Sequence, residues 1–214
     1  MASNFRLWES AMRQHGAIVV ENFEQMINLI MLGTGDKKPR GPRVGFLAAG
    51  GGAAVTFTDL ATLGGLSVPE LQIETQKLIG EKISDVNTST SNPVDLGMFG
   101  FDFKIMAHTM EALDKDDSID IIIPFFSVDF ISAFQKDQIE SGPKYIVEAI
   151  KKLKKPVIPV LSRYSQNNID MEKARVSMFS VFRNAGLPVF SNVQECIYSI
   201  AKYLEWKNAN GKDL

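Results

Sequence analysis

Cysteine and histidine are scarce in this 214-residue chain, which has one cysteine, Cys196, and two histidines, His15 and His108. A single cysteine excludes an internal disulfide framework. Cys196 lies in VQECIYSIAKYL, whose helical periodicity predicts a half-buried small apolar residue and not a reactive thiol. No metal site is expected. Long apolar runs are missing too, and polar residues break up the N-terminal MASNFRLWESAMRQH, so neither a secretory leader nor a membrane span is predicted and the cytoplasm is the default compartment. Positive charge is not in excess: 23 Lys and Arg stand against 25 Asp and Glu, a net charge of −2. Without a basic stripe to neutralise a phosphate backbone, nucleic acid is not an expected partner.

What is present is an apolar fraction of 45% beside 22% charged residues, enough to bury a sizeable core in one domain with at most an appendage. Phe5, Trp8 and Met12 have helical spacing and end at Gly16, and the short run AIVV follows. Asn22 is then placed to cap a second helix with Phe23, Met26, Ile27 and Ile30 on its apolar face. Residues 1–33 thus read as a helix-strand-helix appendage. The stretch GTGDKKPRGPR has linker composition and sets a boundary over 34–42. From 43 to 208, short continuous apolar runs alternate with longer periodic ones. VGFLAA (44–49), IDIIIPFF (119–126), PVIPVL (156–161) and LPVF (187–190) read as strands buried on both faces. Helices are predicted over 53–63, 70–80, 101–114, 142–154, 170–184 and 193–206. The fold class is α/β, a doubly wound parallel sheet.

In such sheets ligands bind beyond the carboxyl ends of the strands. The first loop there is Gly50, Gly51, Gly52, between a strand and a helix beginning near Ala53. Bare backbone amides and the unsatisfied donors of a first helical turn suit an anion. The loop is neither a P-loop, lacking the Lys-Ser/Thr pair, nor a dinucleotide fingerprint, since position 55 is valine. Taken alone, it fits a structural tight turn equally well. Asp59, within the following helix, reads as a solvated side chain. The second loop, STSNPVDLG (89–97), holds Asn92, Pro93 and Asp95 and reads as an irregular connection or a loop over a pocket. The third, PFFSVDF, brings Phe125, Phe126 and Ser127 to a strand end, as core or as the wall of an acyl pocket. Neighbours on a strand face opposite ways, so at most one of the two rings can line a pocket.

The succession of these features resembles one family. The glycine turn, Asp59 seven residues past its last glycine, the Gly-Gly pair after the helix, NPVDL, then K-K-P-V and G-L-P-V resemble the nucleotide-diphosphate-forming acyl-CoA synthetases. These are the ADP-forming acetyl-CoA synthetases and the related succinyl-CoA synthetases. The unit resembled is their flavodoxin-like subdomain, equivalent to the carboxyl end of the succinyl-CoA synthetase β subunit, and LWESAMRQHGAIVVENFEQMINLI is similar to the segment that leads into it. The resemblance implies carboxylic acid activation with a nucleoside triphosphate and coenzyme A through a phosphohistidine, toward which two helix N-termini point. Gly50, Gly51, Gly52, Ala53 and Ala54 match one of those helices. Asn92, Pro93 and Asp95 match the NPVD loop near the active site, and the stretch from Pro124 to Ser127 loosely matches residues near the acyl substrate.

The departures from that pattern are informative. The family's phosphorylated histidine lies in a Ser-His-Thr-Gly-like motif, which this chain lacks. His15 and His108 occupy positions with no such role, and Ala49 stands where many relatives carry asparagine. No residue here is expected to be catalytic, and no cofactor is expected on this chain alone. CoA, ATP and Mg²⁺ would come with the complex, on a CoA-binding, phosphohistidine-bearing subunit and an ATP-grasp subunit. A stand-alone flavodoxin-like module for a phosphorylated small ligand is the alternative. A flavin carrier is disfavoured because the glycine loop lacks the Ser and Thr hydroxyls that flavin phosphate needs.

Overall fold

The computed structural model describes residues 4–84, 86–134, 138–165 and 168–211; the first three residues of the expected appendage lie outside them. Four parallel strands form one sheet in the order β2-β1-β3-β4: β1 is Val44–Ala48, β2 Val94–Asp95, β3 Ile121–Ser127 and β4 Val160–Ser162. A parallel rung between Val160 and Phe190 adds a fifth position beyond β4. Every strand residue but Asp95 is buried, as expected of a sheet covered on both sides. The strand order reverses between β1 and β3. That reversal opens a crevice at their carboxyl ends.

Alternation along the strands divides the core into two halves. Leu47, Ile122 and Phe126 face one cluster, and Phe46, Ile123 and Phe125 face the other. The first half is covered by α4 (Ile73–Gly80), α5 (Phe103–Lys115), α7 (Gly142–Lys152) and α8 (Ile169–Asn184). The second is covered by α2 (Phe23–Thr34), α3 (Gly51–Leu63) and α9 (Val193–Asn210). In α3, the spacing of Ala54, Phe57 and Ala61 brings three buried side chains onto one stripe, and Phe57 stacks on Phe46 at 4.0 Å between ring centroids. Asn22, Asp102, Asn168 and Asn192 cap α2, α5, α8 and α9 with side-chain oxygens on first-turn N–H groups. Among the described residues no helix is long and apolar enough to cross a membrane.

Five elements differ from the sequence reading. The AIVV run is an irregular connector and not a strand: Trp206 Nε1 donates to the Gly16 carbonyl at 2.5 Å, and Ile18 and Val20 pack onto the second core half. The appendage is therefore helix, connector, helix. Pro156 and Pro159 interrupt the run 156–161, since proline supplies no ladder N–H, so that β4 begins only at Val160. Residues 187–190 contribute one rung in place of a strand. Conversely, NPVDL contains β2, and SVDFISAF forms the short helix α6 (Val128–Phe134) directly after β3. The remaining helix, α1 (Phe5–Gln14), lies at the surface with no buried residue.

Candidate functional site at the carboxyl end of the sheet

Gly50 is the hinge of the first loop. Its φ of 111° and ψ of 133° lie where a side chain is strained, and α3 begins at the next residue, two positions earlier than the sequence predicts. Gly51 and Gly52 are thus the first helical residues, both exposed. No side chain caps the helix, and first-turn N–H groups have no acceptor inside it. A Cβ at Gly52 would meet nothing within 4 Å, and one at Gly51 would lie 3.1 Å from Asp95 Oδ2. Ala53 is half-buried, and Ala54 turns its methyl into the core. The donors available to an anion are the N–H groups of Gly51, Gly52 and Ala53, since that of Gly50 is taken by Asp95.

Asp95 gathers this corner. Its Oδ1 accepts from the N–H of Gly50 and from that of Gly97, each at 2.9 Å, tying the end of β2 to the entrance of α3. Asn92 braces a different strand. Its amide donates to the carbonyls of Val44 at 2.7 Å and Pro69 at 2.9 Å, and its oxygen accepts from Phe46 N–H at 3.1 Å. Both amide protons of Asn92 and its oxygen are thus engaged on the flank of β1. The Asn92–Pro93 peptide is cis. Gly100, in the 3₁₀ turn Gly97–Phe101, packs against Ala49 so closely that a Cβ there would come within 2.7 Å of the alanine methyl. A small residue at 49 is what this contact requires.

On the β3 side the two expected pocket rings are interior. Phe125 tilts against Phe46 on one face of the sheet, Phe126 stacks near Phe103 and Phe182 on the other, and Ser127 is buried at the strand end. Neither ring opens onto the crevice. The apolar material at the surface comes instead from residues the sequence reading did not single out. Phe101, Phe130 and Tyr164 form a row, with centroids 6.0 and 5.9 Å apart, and both Phe130 and Tyr164 are exposed. Asp129 fixes one end of that row by accepting from Tyr164 N–H at 3.1 Å and from Ser165 N–H at 2.9 Å, and from the Ser165 hydroxyl. Burial opposes its ionisation, but the Ser165 hydroxyl and the two amides hold the Asp129 carboxyl below its ordinary range. No local sequence pattern announces this clip, whose partners are more than thirty residues apart.

The histidines are occupied elsewhere. His15 Nδ1 lies 2.8 Å from the Ala11 carbonyl, and His108 Nε2 lies 2.8 Å from that of Leu78. Asp59 is exposed on α3. Among the described residues no three His, Cys, Asp or Glu side chains are grouped as a metal site requires.

No protein-family model matches the chain. The ADP-forming acetate–CoA ligase II subunit alpha of Pyrococcus furiosus is 23% identical to it over 197 residues, covering 91% of this chain and 40% of that subunit. Among solved structures, the Pyrococcus horikoshii OT3 protein PH0766 superposes with a TM-score of 0.78 at 21% identity, over 99% of this chain and 46% of that one. The dinucleotide-forming acetyl-coenzyme A synthetase 1 of Candidatus Korarchaeum cryptofilum, solved with phosphate and ADP, gives 0.76 at 18% identity, over 99% and 43%. The chain resembles the ADP-forming acyl-CoA synthetases in sequence and in fold. It spans less than half the length of each of these three relatives. The all-parallel flavodoxin-like sheet expected from the resemblance is the fold observed.

Proposed function

We propose that this chain is the flavodoxin-like part of an acyl-CoA synthetase that forms a nucleoside diphosphate, and that it supplies half of the cradle for a phosphohistidine carried by a partner chain. The observation that carries the reading is the uncapped, glycine-first N-terminus of α3 at the sheet's switch point. A phosphoryl group in transfer carries close to two negative charges, and backbone amides at a helix end hold such charge without titrating. Asp95 leaves those amides unblocked, because the N–H groups it binds are those of Gly50 and Gly97. CoA, the nucleotide with Mg²⁺ and the phosphorylated histidine then belong to a CoA-binding subunit and an ATP-grasp subunit, and the substrate is a small carboxylic acid. The work is that of an acid–thiol ligase in the cytoplasm, and this chain alone is inactive.

Gly52→Val tests the cradle. The new side chain meets no protein atom, and valine is no worse than glycine in a helix, so the variant keeps its fold. Its two methyl groups nonetheless stand over the first-turn amides. In a complex reconstituted with the CoA-binding and ATP-grasp chains, phosphoryl transfer from the histidine to ADP should fall by about 10²-fold or more, the scale seen when one preorganised donor is lost. Gly51→Val, crowded by Asp95, should fall at least as far. Unchanged turnover in both variants would refute the reading.

A further inference from the structure

The stretch GTGDKKPRGPR has the composition of a linker, yet it forms one wall of a cavity where the chain enters the amino end of β1. Lys37, Lys38 and Arg40 line this space of about 210 Å³ together with Lys154, Lys207 and one carboxylate, Asp36. Five cations around a single carboxylate do not follow from composition, because the whole chain has a net charge of −2. The charge has been gathered here by the fold.

Three chain segments converge on the cavity, and each is pinned. Lys37 Nζ donates to the carbonyls of Ile150, at 3.4 Å, and of Leu153, at the C-terminal end of α7. Lys207 Nζ lies 3.4 Å from the Pro39 carbonyl and ties α9 to the 36–40 wall. Asp114 accepts from the backbone N–H groups of Lys154, at 2.9 Å, and Lys155, at 2.8 Å, which fixes the turn after α7. A cation at a helix C-terminus offsets the negative end of the helix dipole, and that accounts for Lys37. It does not account for Arg40 or Lys154. Both are exposed, and among the described residues neither side chain has a hydrogen bond or an ion pair. Like charges held around one small space repel, and an anion placed between them turns that repulsion into attraction.

The chemistry of the lining narrows the anion. The planar guanidinium of Arg40 matches two phosphate oxygens at once, and Lys154 adds a point charge from the opposite wall. Cations arriving from three segments suit an anion with more than one phosphate group. Arg40 also borders a second cavity of about 600 Å³, whose lining includes Pro42, Leu66, Tyr198, Ala201 and Asn208. That mixed apolar and hydrogen-bonding space adjoins the basic one and has room for the organic part of a phosphorylated molecule.

We propose that the basic cavity between residues 36–40, Lys154 and Lys207 is a binding site for a diphosphate group, held by Arg40 and Lys154. The site stands apart from the glycine corner, which lies at the carboxyl end of β1, and it does not depend on the synthetase reading. One location offers backbone amides and the other offers side-chain charge. Salt should therefore weaken binding at the basic cavity.

Calorimetric titration of the full chain with inorganic pyrophosphate tests the site, with Gly52→Val as the background that closes the glycine corner. Binding should persist in that background and weaken by about tenfold when Arg40→Ala or Lys154→Ala is added, the loss of one hydrogen bond to a charged group. Both side chains are exposed, so each variant should melt within a few degrees of its parent. Raising NaCl from about 50 mM to about 500 mM should weaken binding several-fold. Lys173→Ala, which removes an exposed lysine on α8, should change nothing. Titration with UDP separates two sources of the same group: UDP binding more tightly than pyrophosphate supports an organic diphosphate that reaches into the adjoining cavity, and the reverse order supports inorganic diphosphate. No binding of either probe at millimolar concentration overturns the site, as does an affinity that Arg40→Ala and Lys154→Ala leave unchanged. Displacement of pyrophosphate by an equal concentration of citrate overturns the assignment to phosphate. The synthetase reading stands or falls separately, on turnover in the reconstituted complex.

Discussion

Removing the Asp95 side chain probes how the glycine corner is aimed. One carboxylate oxygen accepts two backbone N–H groups that lie 45 and 2 residues away in sequence, so Asp95→Ala releases both Gly50 and Gly97 at once. A hydrogen bond to a charged group contributes about 1.5–3 kcal/mol, and the half-exposed setting lets water recover part of each, leaving a loss of roughly 2 kcal/mol for the pair. At about 2–4 °C per kcal/mol for a chain of this size, calorimetry should show a fall of about 4–8 °C in Tm. Asparagine retains an oxygen in the same place, so Asp95→Asn should lose less than about 1 kcal/mol. The pair of variants separates acceptor geometry from charge. In the reconstituted complex, phosphoryl transfer should fall in the alanine variant and persist in the asparagine one. If the two variants melt and turn over alike, the claim that Asp95 positions the α3 entrance by hydrogen bonding is wrong.

The interior and the titrating groups give further tests. Phe57→Ala removes a fully buried ring stacked on Phe46 and should cost about 4 kcal/mol in urea unfolding, with Phe57→Leu losing less than half of that; equal losses would contradict the stacking account. For Asp116, burial disfavours the charge, but hydrogen bonds from the Ser118 and Thr75 hydroxyls and from the Ser118 and Gln72 amides hold its carboxyl below the ordinary range, as Ser165 and two amides do for Asp129. A carboxyl with a depressed folded-state pKa takes up its proton more readily in the unfolded chain. Its stabilisation is therefore present above about pH 4 and is lost as pH falls through the folded value. Urea midpoints measured from pH 6 to pH 3 should fall steeply, and Asp116→Asn with Asp129→Asn should flatten that limb; an unchanged slope would discard the assignment. Burial pushes the Cys196 thiol far above its usual pKa, so Ellman's reagent should label it only in denaturant, and stoichiometric labelling of the native protein would be the contrary result.

Much of the fold was legible because its signals are local. The buried runs at 44–49 and 119–126 and the amphipathic stretches between them are visible in any short window, and the parallel α/β class follows from alternating strands and helices. What was not legible depends on partners far along the chain. AIVV has the composition of a strand, yet a strand needs an edge to pair with, and Trp206, 190 residues away, directs this run over α9 instead. The two prolines of PVIPVL were visible, but only the observed register shows that they shorten β4 to three residues. In the other direction, a two-residue strand such as Val94–Asp95 is too brief to leave a period-2 signal.

The site divides along the same line. Glycines 50 to 52 could be read from sequence because backbone freedom is a property of the residue itself. The residues that aim them could not. Asn92 and Asp95 sit three apart in one motif, yet one is taken up by Val44, Phe46 and Pro69 while the other ties Gly50 to Gly97. Phe125 and Phe126 looked like pocket walls because they end a strand, but β3 runs on through Ser127 and passes directly into α6, so both rings stay inside and Phe130 and Tyr164 take the exposed positions. The helix register matters most for function. Because α3 starts at Gly51 and not at Ala53, two of the first-turn donors fall on residues without side chains, which leaves their N–H groups open to an anion. A start at Ala53 would have put methyl groups beside those donors. The proposed cradle therefore depends on Gly50 turning the chain at a positive φ immediately after β1, a step that Asp95 holds in place.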